Sequence, residues 1–127
     1  MMKTVFVVDD SDINLSMARK TLEEHYRVLT MPSAKKMFTL LEKITPDLIL
    51  LDIEMPEIGG FEALISLKSN PLYSGIPVVF LTGYTDKTIE ERGYELGVAD
   101  FITKPFSTHV LIDCVKKNLD KALQEAV

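Results

Sequence analysis

The 127-residue sequence is poor in cysteine, in long apolar runs and in positive charge. A single cysteine, Cys114, cannot close an internal disulfide, which fits a reducing compartment. Flanked by Val110, Leu111 and Val115, it reads as a small hydrophobe in a helix. The apolar runs fall far short of the roughly 20 residues that cross a bilayer. The stretch from Met1 to Thr4 also lacks the apolar region and cleavage site of a secretory signal, so the expected location is the cytoplasm. Fourteen basic against nineteen acidic residues give a net charge of −5. That argues against unassisted nucleic-acid binding, because neutralising phosphates needs clustered Lys and Arg. The pair Lys116 and Lys117 is too small a patch to reverse this, and reads as a solvated helix face.

What is present is material for one core. Apolar residues make up 46% and charged residues 26% of the chain, a globular composition at a length that fits one domain, residues 1–127. Apolar runs of strand length alternate with helical patterns from end to end, the mark of a parallel sheet with helices on both faces. Five strands are expected: Val5–Val8, a weaker Arg27–Thr30, Leu48–Leu51, Val78–Leu81 and the short Phe101–Thr103. The intervening helices are expected at about Asp12–Glu24, capped by Ser11; from Ser33 through Ile44, stopped by Pro46; around Phe61–Leu67; at about Asp86–Leu96; and at about Thr108–Glu125. Asn70–Pro77 reads as a turn-rich connection.

Polar residues follow the apolar runs at telling places. Asp9 and Asp10 follow the first run, Asp52 the third, Thr82 the fourth and Lys104 the fifth. In an open α/β sheet all would gather at the carboxyl edge, where ligands bind. Three converging carboxylates repel one another unless a cation sits among them, and an oxygen-only set with room for water or phosphate suits Mg²⁺. A hydroxyl and an ammonium opposite them provide the hydrogen-bond donor and point charge that a phosphoryl group requires.

At these positions the chain resembles the receiver domain of two-component response regulators. The matches are Val7-Val8-Asp9-Asp10, Leu50-Leu51-Asp52-Ile53-Glu54-Met55-Pro56, Leu81-Thr82-Gly83 and Phe101-Ile102-Thr103-Lys104-Pro105-Phe106, in order and across essentially the whole chain. The resemblance implies a flavodoxin-like doubly wound (βα)5 fold with strand order 2-1-3-4-5. It implies Asp52 as phosphoryl acceptor and Lys104 and Thr82 as its partners. Asp10 and Asp52 would bind Mg²⁺ (or Mn²⁺), with Asp9 assisting and the main-chain carbonyl of Glu54 as a further ligand. Thr82 and Phe101 would form the switch, Glu54 and Tyr84 would tune the phosphoryl lifetime, and Lys104-Pro105 would be cis. The implied partners are a sensor histidine kinase or histidine phosphotransfer protein upstream and a downstream protein or output domain. The implied activity is limited to the domain's own phosphorylation and slow dephosphorylation. The sequence fits both a stand-alone receiver and one cut from a larger regulator or hybrid kinase.

Further expectations concern departures and surfaces. Many relatives carry an acid where Gly59 stands, so the helix after Gly59-Gly60 should be less firmly capped. Bulky Tyr84 is expected to shield the phosphoryl group. The last helix carries Val110, Leu111, Ile112, Cys114, Val115 and Leu119, a wider apolar band than one buried face needs. Ile112 or a neighbour is therefore expected on a partner or homodimer surface of the fourth and fifth helices. Two other functions compete. Asp52-Ile53-Glu54 spaces two acids as nucleophile and general acid of a haloacid-dehalogenase-like phosphatase would be spaced, although the motif follows the third strand. A flavin protein would need a Ser/Thr/Gly-rich phosphate loop after strand one, where Asp9 and Asp10 stand.

Overall fold

A computed structural model describes residues 2–125; the expected domain bounds Met1 and Val127 lie outside the described residues. Ten elements alternate: β1 (Thr4–Val8), α1 (Asp12–Leu22), β2 (Arg27–Met31), α2 (Ala34–Leu41), β3 (Leu48–Asp52), α3 (Gly60–Ser69), β4 (Val78–Thr82), α4 (Lys87–Glu95), β5 (Asp100–Thr103) and α5 (Thr108–Glu125). The strands form one parallel sheet in the order β2-β1-β3-β4-β5. This is the flavodoxin-like arrangement, whose order reverses between β1 and β3.

The three inner strands are buried along their whole length, as expected for apolar segments covered on both faces. Alternation of side chains divides the core. Val5, Val7, Leu48, Leu50, Val79 and Leu81 face α1 and α5, where they meet residues such as Leu22, Leu111 and Val115. Phe6, Val8, Ile49, Leu51, Val78 and Phe80 face the other helical layer, with Met37, Leu64 and Leu67. Each fully buried large side chain contributes about 1.5–3 kcal/mol against exposure. The inner strands are therefore the rigid floor of whatever sits at their ends. The edge strands β2 and β5 are only partly covered.

Helix ends differ from expectation by a few residues. Helix α1 stops at Leu22 and α2 at Leu41, before Glu24 and Ile44. The N–H groups of Lys43 and Ile44 both reach the Leu40 carbonyl, turning the chain several residues ahead of Pro46. Asp52 and Thr82 end their strands as paired residues, opposite Leu81 and Thr103, so the sheet itself fixes their backbones. Lys117 is not simply solvated: its Nζ lies 3.0 Å from Asp100. Ile112 packs on the α1 side of α5, beside a groove shared with Met17 and Thr21, and so does not face α4. The apolar side chains that α5 exposes are Val110 and Leu123. Among the described residues no helix is long and apolar enough to cross a membrane.

Candidate functional site

The ends of β1 and β3 carry the acids. Asp9 is fully buried, Asp52 nearly so, and Asp10 exposed. One carboxylate oxygen from each lies within 4.8 Å of the others. Lys104, arriving from the end of β5, bridges two of them, with Nζ 3.2 Å from Asp9 Oδ2 and 3.1 Å from Asp52 Oδ1. Its main-chain N–H donates to the Thr82 carbonyl, which ties the β5 end to β4. The Lys104–Pro105 peptide is cis.

Local hydrogen bonds hold Asp9 and Asp52. The Ser11 N–H donates to Asp9 Oδ1 at 2.9 Å, and Asn14 Nδ2 donates to Asp9 Oδ2 at 3.3 Å. The Glu54 N–H donates to Asp52 Oδ1 at 3.2 Å. Helix α3 then starts against the same strand end. The Gly60 N–H donates to the Ile53 carbonyl at 2.8 Å, and a Cβ at Gly60 would lie 2.6 Å from both the Asp52 carbonyl oxygen and the Ile53 Cα. Only glycine lets the helix approach so closely. Gly59, the N-cap of α3, offers no side-chain cap bond, in line with the missing acid.

The electrostatics are those of a cation site. Burial pushes the Asp52 carboxyl up to about 6, with Asp9 adding to the rise and the Lys104 ammonium opposing it. Burial would lower the Lys104 pKa, but Asp52 and Asp9 outweigh it and raise it. Fully ionised, three carboxylates and one ammonium leave two negative charges in a partly buried cluster. A hard divalent cation with oxygen ligands fits that set.

The hydroxyl side of the site is arranged differently. Thr82 is buried, and its hydroxyl donates to the Tyr84 carbonyl while accepting from the Tyr84 N–H at 3.1 Å. Its proton is thus engaged by the β4–α4 loop. Tyr84 is 62% exposed and its hydroxyl reaches toward Asp86, the cap of α4, at 3.4 Å. Phe101 is half-buried between Phe80 and Tyr94, at ring-centroid distances of 5.6 and 5.4 Å. Gly93 makes room for it, since a Cβ there would stand 2.5 Å from the Phe101 ring tip.

Asp9, Asp10, Asp52 and Lys104 therefore meet, with the Glu54 backbone joining them, whereas Thr82 and Phe101 lie toward the β4–β5 side. Sequence reasoning passed over Asn14, which orients Asp9, and Gly93, which admits the Phe101 ring. Glycine inside a helical pattern, at a cost of about 1 kcal/mol relative to alanine, was the available signal for the second. Cys114 is buried, and burial together with Asp100 pushes its thiol up to about 12, so it behaves as a packed hydrophobe.

A doubly wound sheet with an acid-lined cleft at its strand ends defines a switch-point α/β protein, the class in which ligands bind outside the carboxyl ends of the strands. The chain belongs to the response regulator receiver domains, whose family model matches residues 5–116. Such domains are phosphorylation-type signalling switches. The chain is 33% identical to the polar-differentiation response regulator DivK of Brucella ovis, over 96% of this chain and 100% of that one. It is 39% identical to a probable cyclic di-GMP phosphodiesterase of Vibrio cholerae, over 91% of its own length but only 26% of that protein's. The fold matches the chemotaxis protein CheY4 of Vibrio cholerae with a TM-score of 0.88 and 27% identity, covering 92% and 98% of the two chains.

Proposed function

We propose that this domain is a signalling switch that accepts a phosphoryl group on Asp52 from a histidine kinase or histidine phosphotransfer protein. The observation that carries the reading is the Lys104 ammonium bridging Asp9 and Asp52, with the Asp10 carboxylate in the same cluster. Asp9, Asp10, Asp52 and the main-chain carbonyl of Glu54 would hold Mg²⁺ (or Mn²⁺). When bound, the metal offsets the negative charge that would otherwise keep an anionic donor away. A carboxylate oxygen of Asp52 attacks the donor phosphorus and a new O–P bond forms. The bond from phosphorus to the donor atom breaks, and the leaving group takes up a proton. Lys104 stays beside the phosphoryl oxygens and supplies compensating charge.

The signal leaves through Thr82 and Phe101. An added dianion gives the Thr82 hydroxyl an acceptor stronger than the Tyr84 carbonyl, and moving that hydroxyl pulls on the β4–α4 loop. The loop leads into α4, whose Gly93 and Tyr94 hold the Phe101 ring. A preference of a few kcal/mol between the two arrangements is enough to shift the population. The resulting surface on α4, β5 and α5 controls a downstream protein or output domain, and Val110 and Tyr94 are exposed there for a partner or a homodimer. Tyr84, with Glu54, borders the approach of hydrolytic water and sets the lifetime of the phosphoryl group. The domain works in the cytoplasm, spans residues 1–127, and needs no direct contact with nucleic acid.

The phosphatase alternative gains nothing from the geometry. Glu54 is exposed and touches Asp52 through its main-chain N–H, not as a general acid aimed at a leaving group. Intact-mass spectrometry after incubation with acetyl phosphate and Mg²⁺ tests the proposal. The expected result is one added phosphoryl group, not formed when EDTA replaces Mg²⁺ and absent in Asp52→Asn. An unmodified wild-type protein, or equal labelling of Asp52→Asn, would overturn it.

A further inference from the structure

The helical layer containing α2, α3 and α4 has two ends of opposite character. At the β2 end, a groove of about 570 Å³ runs along α2, floored by Met31 and Leu40 and edged by Lys35, Lys36 and Lys43. All three lysines are exposed and have no carboxylate partner among the described residues. Helix α2 itself contains no acidic residue, and its exposed C-cap Glu42 is the acid next to this cluster, leaving an excess of basic side chains. On a chain whose net charge is −5, this is a concentrated positive surface over an apolar floor.

At the β5 end the pattern is inverted. Along α4 an open surface is bordered by Glu90, Glu91 and Glu95, with the Tyr94 ring 51% exposed among them. Lys87 is the one base on that border, 3.9 Å from Glu91 in a pair exposed on both sides. Arg92 is turned away, its guanidinium lying 4.7 Å over the Phe61 ring. Glu90 and Glu95 have no cationic partner among the described residues.

We propose that the α2 groove is a docking site for a second copy of this chain, which inserts its acidic α4 with Tyr94 as the apolar anchor. Charge complementarity carries the assignment. Three unpaired lysines meet a helix face with three glutamates, and an exposed aromatic ring meets a floor of Met31 and Leu40. Topology supports it, because α2 and α4 lie at opposite ends of one layer. Setting molecules side by side brings the two surfaces together and continues the layer. The contact is head-to-tail, each copy offering one surface and receiving the other. Association therefore continues beyond two copies unless the rotation between neighbours closes a ring. Net charge on each copy opposes unspecific contact, so attachment is confined to these two oppositely charged surfaces.

Sedimentation of the full chain at low and high salt tests this. At low ionic strength the weight-average mass is expected to rise with protein concentration past two protomers. It should return to one protomer at about 0.5 M salt, where screening acts within a few ångströms. Two surface variants, Lys35→Glu/Lys36→Glu/Lys43→Glu and Glu90→Lys/Glu91→Lys/Glu95→Lys, are each expected to remain monomeric alone. Mixed in equal amounts they should associate, because the swapped charges again face opposite partners. Circular dichroism of each variant alone verifies that both retain the fold. A monomeric wild type at low salt up to about 1 mM, a contact worth less than about 4 kcal/mol, would overturn the proposal. So would a mixture that stays monomeric, or a mass that levels at two protomers whatever the α2 lysines carry.

Discussion

The acid pocket at the ends of β1 and β3 and the hydroxyl–aromatic region at the ends of β4 and β5 share one sheet edge but are built to different tolerances. In the first, Asp9 directly follows β1 and Asp52 ends β3, both strands buried along their whole length, and each carboxylate accepts from one main-chain N–H and from Lys104. In the second, Thr82 is bonded to a loop with exposed neighbours, and Phe101 is half-buried on an edge strand beside an exposed tyrosine. A site that performs one chemical step benefits from preorganised charge, whereas a reporter benefits from a small gap between two arrangements. The same fold provides both because Asp52 and Thr82 end buried inner strands, whereas the loop that holds the Thr82 hydroxyl is exposed and Phe101 lies on the edge strand β5.

The largest effect expected on this contrast comes from Lys104→Ala. Removing the ammonium leaves two buried carboxylates with no cation between them. In metal-free buffer the fold should lose about 2–3 kcal/mol at pH 7 by urea denaturation. Mg²⁺ should restore a large part of that, since a ligand bound only by the folded state stabilises it. If Lys104→Ala were as stable as the wild type without metal, the ammonium would not be offsetting the buried carboxylates as described.

Next in size is Asp52→Asn, with the opposite sign. Burial raises the folded pKa of Asp52 to about 6 from 3.8, so the ionised carboxylate costs stability. That cost is fully present above about pH 6 and vanishes as the pH falls below the unfolded value. The asparagine variant should therefore be more stable by about 1–2 kcal/mol at pH 7 without metal. The advantage should fade as the pH falls from about 6 toward 3.8. Thermal melts across that range measure it, and a pH-independent difference would contradict the assignment.

Smaller changes probe the looser region. Gly93→Ala gains helix propensity but places a Cβ 2.5 Å from the Phe101 ring tip. The expected net result is a loss of about 1 kcal/mol, as for other overpacked sites. A gain would mean that the ring moves aside without cost. Tyr84→Ala should leave stability within about 0.5 kcal/mol, because the ring is largely exposed. It should nevertheless shorten the life of the aspartyl phosphate, followed as decay of the added mass; an unchanged decay rate would remove Tyr84 from the shielding role.

Much of the first region was legible in the sequence. Continuous apolar runs such as Leu48–Leu51 mark inner strands, and the polar residue that ends each run marks the sheet edge, so Asp9, Asp52 and Lys104 could be grouped before any fold was seen. Helix ends were less legible. Pro46 suggested a longer α2, but the chain turns at Leu40 through main-chain bonds that no residue type announces. Side-chain direction was harder still. A wide apolar band on α5 does not reveal that Ile112 turns toward α1 while Val110 is exposed. The support from Asn14 depends on where the first turn of α1 lies relative to β1, which is tertiary information. The opposed charges of α2 and α4 are plain in the sequence, but their placement at opposite ends of one layer follows only from the strand order.

Residue-resolved hydrogen exchange with Mg²⁺ and beryllofluoride, a phosphoryl mimic, tests the link between the two regions most directly. In the wild type, amides from Gly83 to Asp86 and around Phe101 should change exchange rate on addition of the mimic, while those of β1 and β3 stay protected. The same amides should be unaffected in Asp52→Asn. Unchanged exchange in the wild-type β4–α4 loop despite occupancy of Asp52 would contradict the account of a buried pocket driving an exposed reporter loop.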